Sequence, residues 1–204
     1  MADTAIIESP NTAAMALSDV LIPEALIYEM VNDKPIYYRG WQSVLRGEKT
    51  IEQILASSLL QSFLINEVAF QLNLSLRKKY MIVTNEAGLT FNKGDWRAAD
   101  IALLPLDVMK TVKLDNHYIK QKPEIVIQID TKADASALPM YYLDKTKHLH
   151  KNGIPKVIWI YTETQQVMIA EIGKKWEIFD WPETVKVTKD CVFCVKDLLE
   201  GFDY

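Results

Sequence analysis

Between residues 123 and 161 the chain writes an apolar strand, a helix and a second apolar strand, and that order constrains the fold more than any other feature. "PEIVIQID" (123–130) and "KVIWIY" (156–161) are strand-length runs rich in β-branched residues. Between them, "LPMYYLDKTKHLHKNG" (138–153) sets Leu143, Thr146 or Lys147, and His150 at helical spacing, with Gly153 where a helix ends. A strand, a helix and a strand in succession form a crossover, which makes two neighbouring strands parallel or nearly so.

The first of these strands carries an anomaly. Ile125, Ile127 and Ile129 alternate with Glu124, Val126, Gln128 and Asp130. Strand side chains point to opposite faces with period two, so one face is core and the polar positions share the other, which is either solvent or a site.

The rest of the chain supplies a sheet and a helix to cover it. "LIYEMVNDKPIYYRG" alternates apolar and polar residues around the turn-like "NDKP", which predicts a hairpin between Leu26 and Tyr38. A long helix is expected next: Thr50 and Gln53 fit a capping box, and Ile51, Ile54, Leu55, Leu59, Phe63, Leu64 and Val68 recur at helical spacing. Further strands are expected at "KYMIVTNEAGLTF", "WRAADIALLP", "PKVIWIYTETQQVMIAEI", "WEIFDW" and "VKVTKDCVFCV". The fold class that follows is α/β or α+β, with a mixed sheet and a helix on at least one face.

At 204 residues the chain suits one domain, taken as 21–204 behind a flexible lead-in at 1–20. That lead-in has acidic residues and lacks a basic start with a compact apolar block, so it does not read as a secretory signal. No apolar run approaches the roughly 20 residues of a membrane span, and a cytoplasmic setting is expected. Net charge is −4, which counts against a nucleic-acid binder, although "LRKKY" and "DKTKHLHKNG" cluster positive charge that a solvated face explains equally well. Cys191 and Cys194 have no second pair to complete a zinc site and are read as packing residues. His148 and His150 point about 200° apart on a helix, so they do not form a metal pair. Trp159, Trp176 and Trp181 could stack on bases but more simply fill the core.

One group of residues carries chemistry. Asp100 ends the apolar triplet "AAD", Gln128 and Asp130 follow on the anomalous strand, and Lys145 lies on the crossover helix. Phosphodiester hydrolysis uses a divalent cation to stabilise charge and to lower the pKa of a bound water. Hard cations want oxygen ligands, usually one or two carboxylates with water and phosphate, and a nearby lysine can neutralise developing charge.

The run "RAADIALLP", "KPEIVIQIDTKAD", "DKTKHLHKNGIPKVIWIY", together with "LIYEMVNDKPIY", resembles the Uma-type restriction-endonuclease-like family of the PD-(D/E)xK nuclease superfamily, over about Leu26 to Ile172. The resemblance implies a mixed central sheet flanked by helices with an N-terminal hairpin. It also implies a metal-dependent endonuclease that hydrolyses DNA with magnesium or manganese. Asp100 matches the family's metal-binding aspartate, with Ala99 in place of the preceding proline. Lys145 matches the catalytic lysine, eight positions before Gly153, and Glu29 matches an acidic position of the hairpin. Gln128 stands where the family has its second metal-binding carboxylate, Tyr141 where an aspartate is common and Leu149 where a tyrosine is common. Asp130 either supplies the missing carboxylate from a shifted position or merely ends the strand. The alternative to hydrolysis is an inactive nuclease-fold protein serving as a binding or oligomerisation module. Nucleases that cut both strands often work as homodimers, but no pairing patch is identifiable from the sequence.

Overall fold

The protein is described here from a computed structural model covering residues 21–134, 138 and 140–204; the expected lead-in at 1–20 lies outside the described residues. β1 (Ile27–Val31) and β2 (Lys34–Tyr37) form the anticipated hairpin. Its turn places Asn32 and Asp33 at φ 48° and 60°, the left-handed region those two residue types tolerate best. Two short helices follow, α1 (Trp41–Leu45) and α2 (Ile51–Leu55), and then the long α3 (Leu59–Leu76).

The single long helix expected from Thr50 is therefore two. The Thr50–Gln53 capping box forms as anticipated, but Ala56 is extended at ψ 139° and Ser58 starts α3 afresh, its hydroxyl accepting from Gln61 N–H at 3.1 Å. Two serines in a row favour such a break, because their hydroxyls compete for backbone donors and suit N-caps better than helix interiors.

β3 (Tyr80–Asn92) and β4 (Asp95–Pro105) make a long antiparallel pair, interrupted where Asn85 and Glu86 take φ 72° and 52°. After the short α4 (Leu106–Met109), the connection runs back along β3, where Ile119 exchanges backbone hydrogen bonds with Gly88 and Thr90. β5 (Ile125–Ile129), α5 (Tyr141–Lys151) and β6 (Lys156–Tyr161) are the crossover, and β5 and β6 are parallel from Ile125↔Lys156 to Ile129↔Ile160. β7 (Gln166–Glu171) and β8 (Glu177–Asp180) add antiparallel strands. The resulting eight-stranded mixed sheet runs β2-β1-β4-β5-β6-β7-β8, with β3 also on β4. β9 (Thr184–Thr188) and β10 (Cys191–Cys194) were expected in that sheet but pair only with each other, leading into α6 (Val195–Leu198). Their apolar residues Val185, Val187 and Phe193 instead pack with the helix-covered face of the large sheet.

Both faces of the sheet are covered. On one, Leu64, Val68, Leu72 and Leu76 of α3 lie against Ile101, Ile127, Ile129 and Ile158. On the other, Tyr141 and Leu149 of α5 cover Val126, Val157 and Trp159. Each of these aliphatic side chains, fully withdrawn from water, is worth about 1.5–3 kcal/mol. All five residues of β5 are buried, so the polar side of this strand meets the underside of α5 and not solvent. Trp159 is packing, as expected, and its indole N–H donates to Thr146 Oγ1 at 2.8 Å.

Candidate functional site: a closed polar core under α5

β1, β4, β5 and α5 converge on one buried group of polar side chains. β4 and β5 are in register at Ile101↔Ile127, which sets Asp100 opposite Gln128 one step along. The sequence thus brings together Asp100, Gln128 and Lys145, and the hairpin adds Glu29: all four are 4% exposed or less. A register shift in β1 between Ile27 and Glu29 helps turn Glu29 into the group.

Glu29 is saturated. One carboxylate oxygen accepts from Lys145 Nζ at 2.7 Å and from the backbone N–H of Ala98 at 3.1 Å. The other accepts from Arg97 at 2.6 Å and from the Tyr141 hydroxyl at 2.8 Å. Burial alone would push its pKa up, but Lys145 and Arg97 together hold it below the usual carboxylate value. Lys145 spends a further hydrogen on the carbonyl of Ala98 at 2.8 Å, and its ammonium lies 5.5–5.7 Å from the ring centres of Tyr28, Tyr141 and Trp159. Burial lowers the Lys145 pKa against the upward pull of Glu29.

Asp100 and Gln128 are held by backbone. Asp100 accepts from the N–H of Ile129 at 2.7 Å, and Gln128 donates its amide to the carbonyl of Ala98 at 3.0 Å. Burial raises the Asp100 carboxyl to about 6, with the Ile129 bond and Lys145 pulling the other way. The carbonyl oxygen of Gln128 is buried without a donor.

Asp130 lies elsewhere. β5 ends at Ile129, and Asp130 turns at φ 55°, so the period-two expectation that sets it beside Gln128 does not extend to it. Its carboxylate accepts from the backbone N–H of Thr162 at 2.9 Å and from the Thr162 hydroxyl at 2.6 Å. It ends the strand, and it also lines a surface cavity of about 290 Å³ together with Arg39, Lys49 and Lys132. Lys132 is bound to Glu86 and to the carbonyl of Leu55 at 2.8 Å. Asp100, Gln128 and Lys145 do not line that cavity.

Sequence reasoning assigned no role to Arg97. A signal existed, since an arginine inside an otherwise apolar strand must find an acid when it is buried. Tyr141 was visible only as a departure from the family pattern, yet it completes the shell of Glu29. The Ala98 carbonyl, shared by Lys145 and Gln128, has no side-chain signature at all.

A magnesium or manganese ion would find oxygen donors of the right chemistry in Asp100 and Gln128, but only one charge between them. Glu29 cannot join, because both of its oxygens are committed to cations. No group of three His, Cys, Asp or Glu residues able to hold a metal occurs among the described residues. Octahedral Mg²⁺ keeps several waters, and side chains buried to this degree offer no opening for them. The donor set does not fit such an ion.

His148 and His150 are half-buried and apart, His148 beside Asp95 at 3.1 Å and His150 edge-on to Trp176. Cys191 and Cys194 are free, with Cys191 buried. No helix among the described residues is long and apolar enough to cross a membrane.

Neither a family model nor a curated protein matches the chain. A solved structure from Anabaena variabilis, titled "a putative nuclease belonging to DUF820", aligns with a TM-score of 0.63 at 17% identity, covering 83% of this chain and 88% of that one. A likeness of that depth at that identity concerns the backbone, and with the mixed sheet and its two helical covers it gives this chain a nuclease-like α+β fold.

Proposed function

We propose that this chain keeps the nuclease scaffold but has converted the cation position into a charge-balanced polar core, and that it works as a binding or oligomerisation module. The observation that carries the reading is the closure of the group: Lys145 is fully buried and already bonded to Glu29 and Ala98, while Asp100 faces a neutral amide. Two carboxylates, Glu29 and Asp100, stand against two cations, Arg97 and Lys145, so the core is neutral when all are ionised. Such an arrangement stabilises and orients a fold, and it offers a phosphodiester neither a free lysine nor a pair of uncommitted carboxylates to hold a metal ion.

The rival reading is a magnesium- or manganese-dependent endonuclease acting on DNA, as the resemblance implies. One observation favours it: the buried carbonyl oxygen of Gln128 has no donor and lies across from Asp100. The deciding experiment incubates supercoiled plasmid with magnesium or manganese and the wild type, Gln128→Glu or Asp100→Ala, with thermal melts of each protein with and without metal. The expected result is no cleavage by wild type and no metal-induced rise in its melting temperature. Cleavage by wild type that Asp100→Ala abolishes would establish the nuclease and overturn the module.

A further inference from the structure

α3 buries one side and leaves the opposite side apolar as well. At 100° per residue, Leu59, Phe63, Asn66, Phe70 and Leu74 fall within an arc of about 80°, facing away from the stripe Leu64, Val68, Leu72 and Leu76 that enters the core. Leu59, Phe70 and Leu74 are 87%, 54% and 63% exposed, while Phe63 is half-buried, packed against the edge of the core and against Phe202. A helix hydrophobic on two opposite sides has a second surface to cover.

The outer stripe reads nearly the same in both directions. Leu59 and Leu74, Phe63 and Phe70, and Asn66 and Glu67 are equidistant from a point midway between residues 66 and 67. A two-fold axis through that point would lay α3 antiparallel on its own copy, with residue i meeting j and j meeting i, as an isologous interface demands. The polar centre is also self-complementary: the Asn66 amide, which donates to Glu67 within the chain at 3.0 Å, would face the partner's Glu67. Like charges would not be opposed.

Shape agrees with pattern. At the N-terminal end of α3 a groove of about 290 Å³ opens among Leu59, Leu60, Phe63, Leu199, Phe202 and Tyr204. Leu74 projects from the other end of the helix, about 22 Å away at 1.5 Å per residue. Antiparallel pairing brings each Leu74 to the partner's groove, twice per dimer. An 18-residue helix, about 27 Å long and 10–12 Å wide, presents only about 300 Å² as a flat strip, well short of the roughly 800 Å² per partner of a stable interface. Beside this strip the C-terminal Phe202 and Tyr204 are exposed and line the same groove, which adds apolar area to this face. Phe202 is 60% exposed, sits edge-on to Phe63 at 5.0 Å and widens the strip where the partner's leucine would arrive.

We infer that the outer face of α3, with the C-terminal Phe202, is the docking surface for a second copy of this chain in antiparallel, two-fold arrangement. This holds whether or not Asp100 supports hydrolysis. The test is sedimentation equilibrium of the full chain from about 1 to about 100 μM, a range that captures ordinary dimer affinities. Wild type should sediment as a dimer at the upper end. Leu59→Glu and Leu74→Lys should each weaken dimerisation at least tenfold. The two together should restore it, because only antiparallel pairing sets the new acid of one chain on the new base of the other. Both positions are exposed, and an acid at a helix start with a base at its end favours the helix itself, so the variants fold. A wild type that stays monomeric at the highest concentration overturns the inference. So does a double variant no better than the singles.

Discussion

Lys145 shows how a residue type suited to catalysis becomes structural through its neighbours. Replacing it with methionine keeps the volume and leaves Glu29 with one cation, Arg97, beside the Ala98 N–H and the Tyr141 hydroxyl. Removing one partner of a buried ion pair costs about 3–5 kcal/mol, so Lys145→Met should lower stability by that amount in urea denaturation. Asp100 behaves in the opposite sense. Its folded pKa, about 6, lies above its ordinary 3.8, so the folded state binds the extra proton and stability from this group falls as pH rises from about 4 through 6. The shift corresponds to about 3 kcal/mol by pH 7. Asp100→Asn should remove that dependence and, because it takes away the buried charge, should be more stable than wild type at pH 7.5. Urea midpoints at pH 4.5 and 7.5 for both proteins measure this. Glu29 works lower on the scale and with the opposite sign: its depressed pKa gives stability above about 4.5 that is lost as pH falls further.

At the scale of elements, the break between α2 and α3 rests on Ser58. Ser58→Ala should cost about 1 kcal/mol, read as a fall in the urea midpoint with unchanged slope. The elements themselves were largely legible. The β5-α5-β6 crossover, the β1-β2 hairpin and the end of α5 at Gly153 all follow from periodicity and turn chemistry, because those signals are local. What escaped was non-local. Helical spacing ran on through Ser57 and Ser58, since apolar period alone cannot show that a chain stops and restarts. The strand parity that put Asp130 beside Gln128 fails because the backbone turns left-handed one residue too soon, and the residue that donates to the Asp130 carboxylate there, Thr162, is 32 residues away. Of the site, Asp100 and Gln128 were visible as polar residues in apolar runs, and Lys145 and Glu29 through the resemblance to a nuclease family. That Glu29 would be consumed by Arg97, Lys145 and Tyr141 was not, because satisfaction is a property of the assembled shell.

Across the whole molecule, β3 is paired on one side by β4 and would present 13 residues of open backbone on the other. The returning connection covers part of it, with Ile119 bonded to Gly88 and Thr90, and the turn at Asn85 and Glu86 breaks the regular repeat of the remainder. Tyr118 lies so close over Gly88 that a Cβ there would sit 2.7 Å from its ring, and the same ring packs on Trp96 at 5.1 Å. Gly88→Val should push Tyr118 off and free the connection, with turbidity appearing at a lower temperature than in wild type on heating. A sheet margin with unpaired donors and acceptors is a template for other chains, so the glycine that admits one tyrosine ring also keeps this sheet from growing beyond its own molecule.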